Sequence, residues 1–351
     1  MTFIPTFNFV HAQQITSLTH MGVLVFAGFI VSMLLTPVYM HYALKYKLWK
    51  QPRESAITGE TAKIYQKLHA AKHKRNIPTM GGVVTIATIA IITLVLNLSR
   101  NQTWLPLLVL VGAGIVGVFD DFLNIRSDGL GIAGMRGKIK FALIFAIALA
   151  GGLYFYYKLG YNLIHIPAVG DFSIGWLYIP LFVLVVVSTA NAVNITDGLD
   201  GLSGGLMSTA FAAYAVIAYF QHNYGIAGFC ATTVGAILTF TWFNIYPARF
   251  FLGDSGAFGL GTALGVIAML TNTVVVLPII AGVFVVEAGS SVIQILSKKF
   301  FKRKIFLSAP LHHHLEAIGW PEPKVTMRLW VIGQVCGAVG LVLALLGNKF
   351  I

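Results

Sequence analysis

Ten runs of about 20 apolar residues follow one another along the 351-residue chain, near 21–44, 80–98, 104–120, 139–157, 174–192, 199–220, 225–245, 256–271, 273–297 and 328–347. Each has roughly the length that a bilayer core demands. In lipid every backbone N–H and C=O must be paired within the structure, which leaves only helices and closed barrels. The runs are continuous rather than alternating in ten-residue units, so they predict helices. Charged residues make up 10% of the chain and hydrophobic ones 57%, against about 25% charged in a soluble domain. No soluble core hides that much apolar surface. The expected fold is all-α: a polytopic integral membrane protein of about ten transmembrane helices, forming one transmembrane domain over 1–351. The eighth run is short and glycine-rich, and the ninth follows it after a tight turn at Thr271-Asn272.

The first run is too long for a signal-peptide core and precedes a basic loop, so it reads as a retained span. Cys230 and Cys336 both lie in apolar runs, which points to neither a disulfide framework nor a thiolate metal site.

Lys and Arg set the orientation. With ten spans, 21 of the 24 basic residues fall in loops on one side, and only Arg100, Lys158 and Lys349 on the other. The basic side is therefore expected to be cytoplasmic and both termini extracytoplasmic. The net charge of +12 needs no nucleic acid to explain it. Ten of the twelve acids share the basic side; the exceptions are Asp171, outside, and Glu287, within the ninth run.

Five of those acids sit at the ends of apolar runs, where a carboxylate is costly and a functional candidate. Asp120 and Asp121 close the third run. Neighbours on a helix point about 100° apart, so one is free to bind Mg²⁺ while the other contacts a second substrate or a proton. Solvated end-caps are the bland alternative, but a helix C-terminus is the wrong end for negative charge. In Asn191-Ala-Val-Asn194-Ile-Thr-Asp197-Gly198-Leu-Asp200-Gly201 the polar groups recur every three residues, with glycines to bend them together and no cation to neutralise them. Asp200 also fits a helix N-cap. In Asn244-Ile-Tyr-Pro-Ala-Arg249-Phe-Phe251-Leu-Gly253-Asp254, Asp254 is expected to precede the eighth helix, as a cap or as an oxygen ligand. Phe251 is either an interfacial aromatic or a stacking platform for a planar base.

His312, His313 and His314 follow Pro310 in a basic loop. Three adjacent histidines rarely converge on one metal, so phosphate donors fit better than zinc, with a His-rich surface as the bland alternative. Lys72, Lys74 and Arg75 precede Pro78-Thr-Met-Gly-Gly82, and Lys138 and Lys140 open the fourth run; headgroup contact explains them equally well. Oxygen-only ligands beside cations suit Mg²⁺ on phosphates better than Ca²⁺ or a transition metal. These groups suggest phosphoryl transfer on a metal-bound diphosphate at a membrane face. An ion or anion transporter is the alternative of a different class. It calls for charges deep within spans, where only Glu287 lies.

The motifs PTMGG (78–82), Asp120-Asp121, NAVNITDGLDGL (191–202), GDSG (253–256) and APLHHHLEAIGW (309–320) with Arg328, in this order, resemble the polyprenyl-phosphate N-acetylhexosamine-1-phosphate transferase family over nearly the whole chain. The APLHHH…GW segment favours its muramoyl branch over the branch that uses UDP-GlcNAc. The resemblance implies a multi-pass protein of the bacterial inner membrane with its active site facing the cytoplasm. It implies transfer of phospho-N-acetylmuramoyl-pentapeptide from UDP-MurNAc-pentapeptide to undecaprenyl phosphate, giving lipid I and UMP for peptidoglycan. Mg²⁺ is the implied cofactor, and a homodimer is implied by the resemblance alone. It further implies Asp254 as metal ligand and Asp120 and Asp121 as the essential pair, with Asp120 acting on the lipid phosphate. Asp197, Asn194 and the histidines, His313 foremost, take catalytic surroundings, and Lys140 a basic active-site position. Lys74, Asp200, Asn244 and Phe251 take the nucleotide pocket, with Gly198 and Asn191 beside them. The chain departs from the family at Asn76-Ile77, at Leu315, and in SGAFGLG after Asp254, none of them a proposed catalytic group.

Overall fold

The structure, a computed structural model, describes residues 6–49, 76–99, 101–126 and 134–347. Its helices are α1 (Thr6–Lys45), α2 (Gly82–Leu96), α3 (Trp104–Ile125), α4 (Gly137–Tyr157), α5 (Tyr178–Thr196), α6 (Leu202–Phe220), α7 (Tyr224–Asn244), α8 (Gly253–Leu270), α9 (Leu277–Ile280), α10 (Gly282–Phe301), α11 (Leu311–Ala317) and α12 (Glu322–Gly347). Eight of them, α1, α3 to α8 and α12, are long and apolar enough to cross a membrane. The all-α polytopic expectation holds.

Two of the ten expected spans need correction. The second is a helix of only 15 residues, because the PTMGG segment stays out of the helix until Gly82. The ninth is not continuous. Ala281 leaves helical geometry (φ −94°, ψ 28°) and divides it into the four-residue α9, with a proline in its first turn, and α10. The helix of the eighth run also starts earlier than expected, at Gly253, so Asp254 stands inside its first turn.

The loop between α4 and α5 carries a small antiparallel hairpin that the apolar pattern did not announce: β1 (Leu163–Ile166) pairs with β2 (Gly170–Ser173), His165 opposite Asp171. The His165 and Asp171 side chains bond at 2.7 Å, and the His165 N–H donates to Asn272 Oδ1 at 3.1 Å. The hairpin is thus tied to the turn that follows α8.

α8 is the axis of the bundle, with all 18 residues buried. It packs along α3 on one side and α5 on another, while α1 and α6 pack along α7. Apolar attraction does not distinguish a helix from lipid, so close backbone approach through small residues has to hold such a bundle together. A Cβ at Gly261 would lie 2.8 Å from both Ala190 Cα and Thr189 O, closer than backbone tolerates. Gly261→Val is therefore expected to destabilise the protein by about 1–3 kcal/mol, read as a lower thermal midpoint in detergent. An unchanged midpoint would show that α5 and α8 are not held at this contact.

Candidate active site

The C-terminal ends of α3, α5 and α7 and the N-terminal ends of α4, α6 and α8 lie at one end of the bundle. There Lys140, in the first turn of α4, joins two carboxylates far apart in sequence. Its Nζ is 2.6 Å from Asp120 Oδ2 and 2.7 Å from Asp254 Oδ2. Asp120 is 1% exposed and Asp254 8%, so the shared ammonium is what makes two charges tolerable in such a place. The other oxygen of Asp120 accepts from the Met135 N–H at 2.6 Å, just ahead of α4. Asp121 turns the other way. Its Oδ2 accepts from the Ser255 N–H at 3.1 Å, in the first turn of α8, where a carboxylate is favoured by the exposed N–H groups. The 100° step between neighbours thus divides the pair: Asp120 faces Lys140, and Asp121 braces the helix that carries Asp254.

The glycine-bent segment after α5 forms a second cluster. Asp197 accepts from the Ser203 hydroxyl, and Asn194 and Gly198 are half-buried beside it. Asn191 is exposed, and its Nδ2 donates to Val187 O one turn back at 2.7 Å. Asp200 is buried, with Oδ2 accepting from the Ala248 N–H at 2.9 Å. Asn244, also buried, accepts from the Gly201 N–H at 2.9 Å and donates to Phe250 O at 2.8 Å. Both side chains therefore hold the 197–201 loop against the 244–251 segment. Asn244→Ala removes both bonds from a dry place and is expected to cost about 1–3 kcal/mol, seen as a lower melting temperature; a wild-type midpoint would show that the loop is held by other contacts.

The start of α12 closes over the same loop. Glu322 Oε1 accepts from the Asp200 N–H at 2.7 Å, the Thr326 hydroxyl donates to Asp200 O at 3.2 Å, and the Trp330 indole N–H donates to Gly201 O at 3.1 Å. Ser203, Glu322 and Trp330 are site residues that the motifs did not single out. A single Ser or Glu at a helix start, or a single Trp two turns into a helix, carries no signal until the fold brings it to a partner.

The His312 and His313 rings lie 4.2 Å apart, but each of the three histidines has a different hydrogen-bond partner. His312 Nδ1 is 2.9 Å from Glu287 Oε2, His313 Nδ1 is 2.8 Å from Glu316 Oε2, and His314 Nδ1 accepts from the Leu307 N–H at 3.3 Å. His312 is fully buried, and the outer edge of its ring lies against Gly198. That contact joins α11 to the Asp197 loop.

Phe251 is half-buried, and its backbone pairs with PTMGG: its N–H donates to Pro78 O at 2.8 Å, and its carbonyl accepts from the Gly81 N–H at 2.9 Å. Neighbouring Phe250 points into the core, 5.4 Å from the Tyr39 ring. The two aromatics divide as the two aspartates do. Lys72, Lys74 and Arg75 lie outside the described residues.

A family model described as glycosyl transferase family 4 matches residues 103–272, the stretch from α3 to the turn after α8. A phospho-N-acetylmuramoyl-pentapeptide-transferase of Chloroflexus aggregans is 38% identical over 334 residues, covering 91% of this chain and 88% of the relative. Proteins of the same description from Bacillus subtilis and from a Geobacillus strain are 37% and 36% identical, each covering 90% of this chain and 94% of the relative. Likeness over 90–91% of the chain reaches well beyond the matched residues 103–272. With its acids gathered at one end of a bundle of apolar helices, the chain belongs to the phospho-N-acetylmuramoyl-pentapeptide-transferase family, as a multi-pass bacterial membrane protein that transfers a phospho-sugar.

Proposed function

We propose that the chain transfers phospho-N-acetylmuramoyl-pentapeptide from UDP-MurNAc-pentapeptide to undecaprenyl phosphate, at the cytoplasmic face of the bacterial inner membrane. An oxygen of the lipid phosphate attacks the β-phosphorus of the nucleotide sugar. The new P–O bond forms as the bond from the β-phosphorus to the bridging oxygen breaks, and UMP leaves with that oxygen. The observation that carries this reading is the Asp120–Lys140–Asp254 bridge, a buried charged device where α3, α4 and α8 meet.

The donor set suits Mg²⁺. Asp120 and Asp254 are oxygen donors that already share one cation, the Lys140 ammonium. Mg²⁺ is commonly held by one or two carboxylates together with substrate phosphates and water. Among the described residues no group of three or more His, Cys, Asp or Glu side chains is arranged to hold a metal alone, so the substrate's own phosphates are the natural remaining ligands. Asp254 would hold the ion, which when bound neutralises the diphosphate. Asp120 orients the lipid phosphate, Lys140 holds both carboxylates in place, and Phe251 stacks on the uracil. Asp197 and Asn194 line the loop beside them, and Lys74 adds a cation for the nucleotide phosphates.

Purified protein given undecaprenyl phosphate, Mg²⁺ and UDP-MurNAc-pentapeptide should release UMP in step with lipid I. Chelation should stop the reaction and added Mg²⁺ restore it. No UMP release, or equal turnover of UDP-GlcNAc, would overturn the assignment.

A further inference from the structure

Glu287 is the one acid within an apolar run that the reaction outlined above leaves unused. It is fully buried on α10, and so is its partner His312 on α11. One carboxylate oxygen, Oε2, serves both the His312 backbone N–H at 3.2 Å and the ring Nδ1 at 2.9 Å. The other oxygen, Oε1, and His312 Nε2 are buried with no hydrogen-bond partner. Such a pair gives little stability: an apolar pair of similar volume is commonly as stable, and each orphaned polar atom is a further cost. Nε2 nevertheless lies against Gly198, where a Cβ would collide with it and come within 3.0 Å of Cε1. The Asp197-Gly198 turn lacks a side chain at the position the imidazole edge occupies.

An ionised carboxylate only accepts hydrogen bonds, so Nδ1 must carry the hydrogen, and the neutral ring then presents a bare lone pair at Nε2. We propose that Glu287 is a positioning residue: it fixes the tautomer and direction of His312, so that Nε2 stands at the Asp197-Gly198 turn as an acceptor for an O–H or N–H donor of the nucleotide sugar. The orphaned Nε2 is then the atom reserved for substrate. The backbone bond from His312 N to the same Oε2 fixes the carboxylate, so the ring has one orientation available to it. This inference rests on the transferase reading above.

Glu287→Met keeps the length and volume but removes the acceptor shared by the His312 N–H and Nδ1, so neither the tautomer nor the direction of the ring is imposed any longer. In the otherwise wild-type protein it is expected to lower kcat/KM for UDP-MurNAc-pentapeptide about 10- to 100-fold, the usual effect of losing a partner that orients a working histidine. In a His312→Ala background the same change should have no further effect, because residues that act as a unit are not additive. An equal fold-loss in both backgrounds would overturn the proposal, since that is how a merely structural residue behaves. Independently of turnover, the ¹⁵N signals of His312 in the wild-type protein, identified by their loss in His312→Ala, should show hydrogen on Nδ1 and none on Nε2. Hydrogen on Nε2 in the resting protein would overturn it as well. Failure of the wild-type protein to turn over the substrate would count against the transferase reading, and the ¹⁵N result would stand apart from that.

Discussion

Lys140→Met is expected to lower UMP release about 10²- to 10³-fold, the range for removing one preorganised charge from a reacting site. Methionine keeps the apolar stem and loses the ammonium that lies 2.6 Å from Asp120 and 2.7 Å from Asp254. Two carboxylates that share one cation are then left facing each other in a poorly hydrated place, where like charges repel far more strongly than in water. Lys140→Arg should fall between the two, because a planar fork does not occupy the position of a compact point charge. Turnover by Lys140→Met within about threefold of wild type would show that the bridge is not part of the chemistry. A melting temperature measured alongside separates lost chemistry from lost fold.

The bridge also shows how much was legible before the fold. That Asp120, Asp254 and Lys140 share a face follows from counting Lys and Arg in alternate loops. Their meeting at hydrogen-bond distance does not, since the chain between Lys140 and Asp254, 114 positions apart, carries no pattern that fixes where α3, α4 and α8 touch. The long helices were legible because lipid leaves the backbone no other partner than itself. The break at Ala281 was hidden for the same reason: the residues from Val274 to Val286 are all apolar or glycine, and there a helix that stops and restarts looks like one that continues. The hairpin at Leu163–Ile166 and Gly170–Ser173 was hidden by its brevity, four residues a strand. Its ties to α8 come from Asn272, about a hundred residues away.

Asp200 and Asn244 illustrate a different limit. The motif marks them as important but does not say whether a carboxylate or an amide faces a ligand or the protein's own backbone. In the structure their side chains bond to Ala248, Gly201 and Phe250, so they shape the loop that bears Asp197 and Gly198. Glu287 is the reverse case. Its placement in an apolar run was a visible signal, but its meaning depended on finding His312 beside it.

The position of Asp254 depends on a backbone contact as much as on charge. A Cβ at Gly117, three residues before Asp120 on α3, would fall on the backbone of Asp254 and Ser255. Neither side of that contact is a flexible side chain that swings away, so an added side chain has to push α3 and α8 apart. Gly117→Val should therefore separate Asp254 from the Asp120–Lys140 pair. The expected stability cost is about 1–3 kcal/mol. Activity should fall to the level of Asp254→Asn, which keeps the shape, loses the charge and is expected to leave no measurable transfer. Gly112→Ala, one and a half turns earlier on the same helix, is the control: its Cβ would meet only Ile147 Cδ1, at an ordinary 3.8 Å, and activity should be unchanged. Near wild-type turnover by a folded Gly117→Val protein would mean that Asp254 is held by its own helix alone. Loss in Gly117→Val with full activity in Gly112→Ala assigns the geometry of the site to the closest approach of α3 and α8.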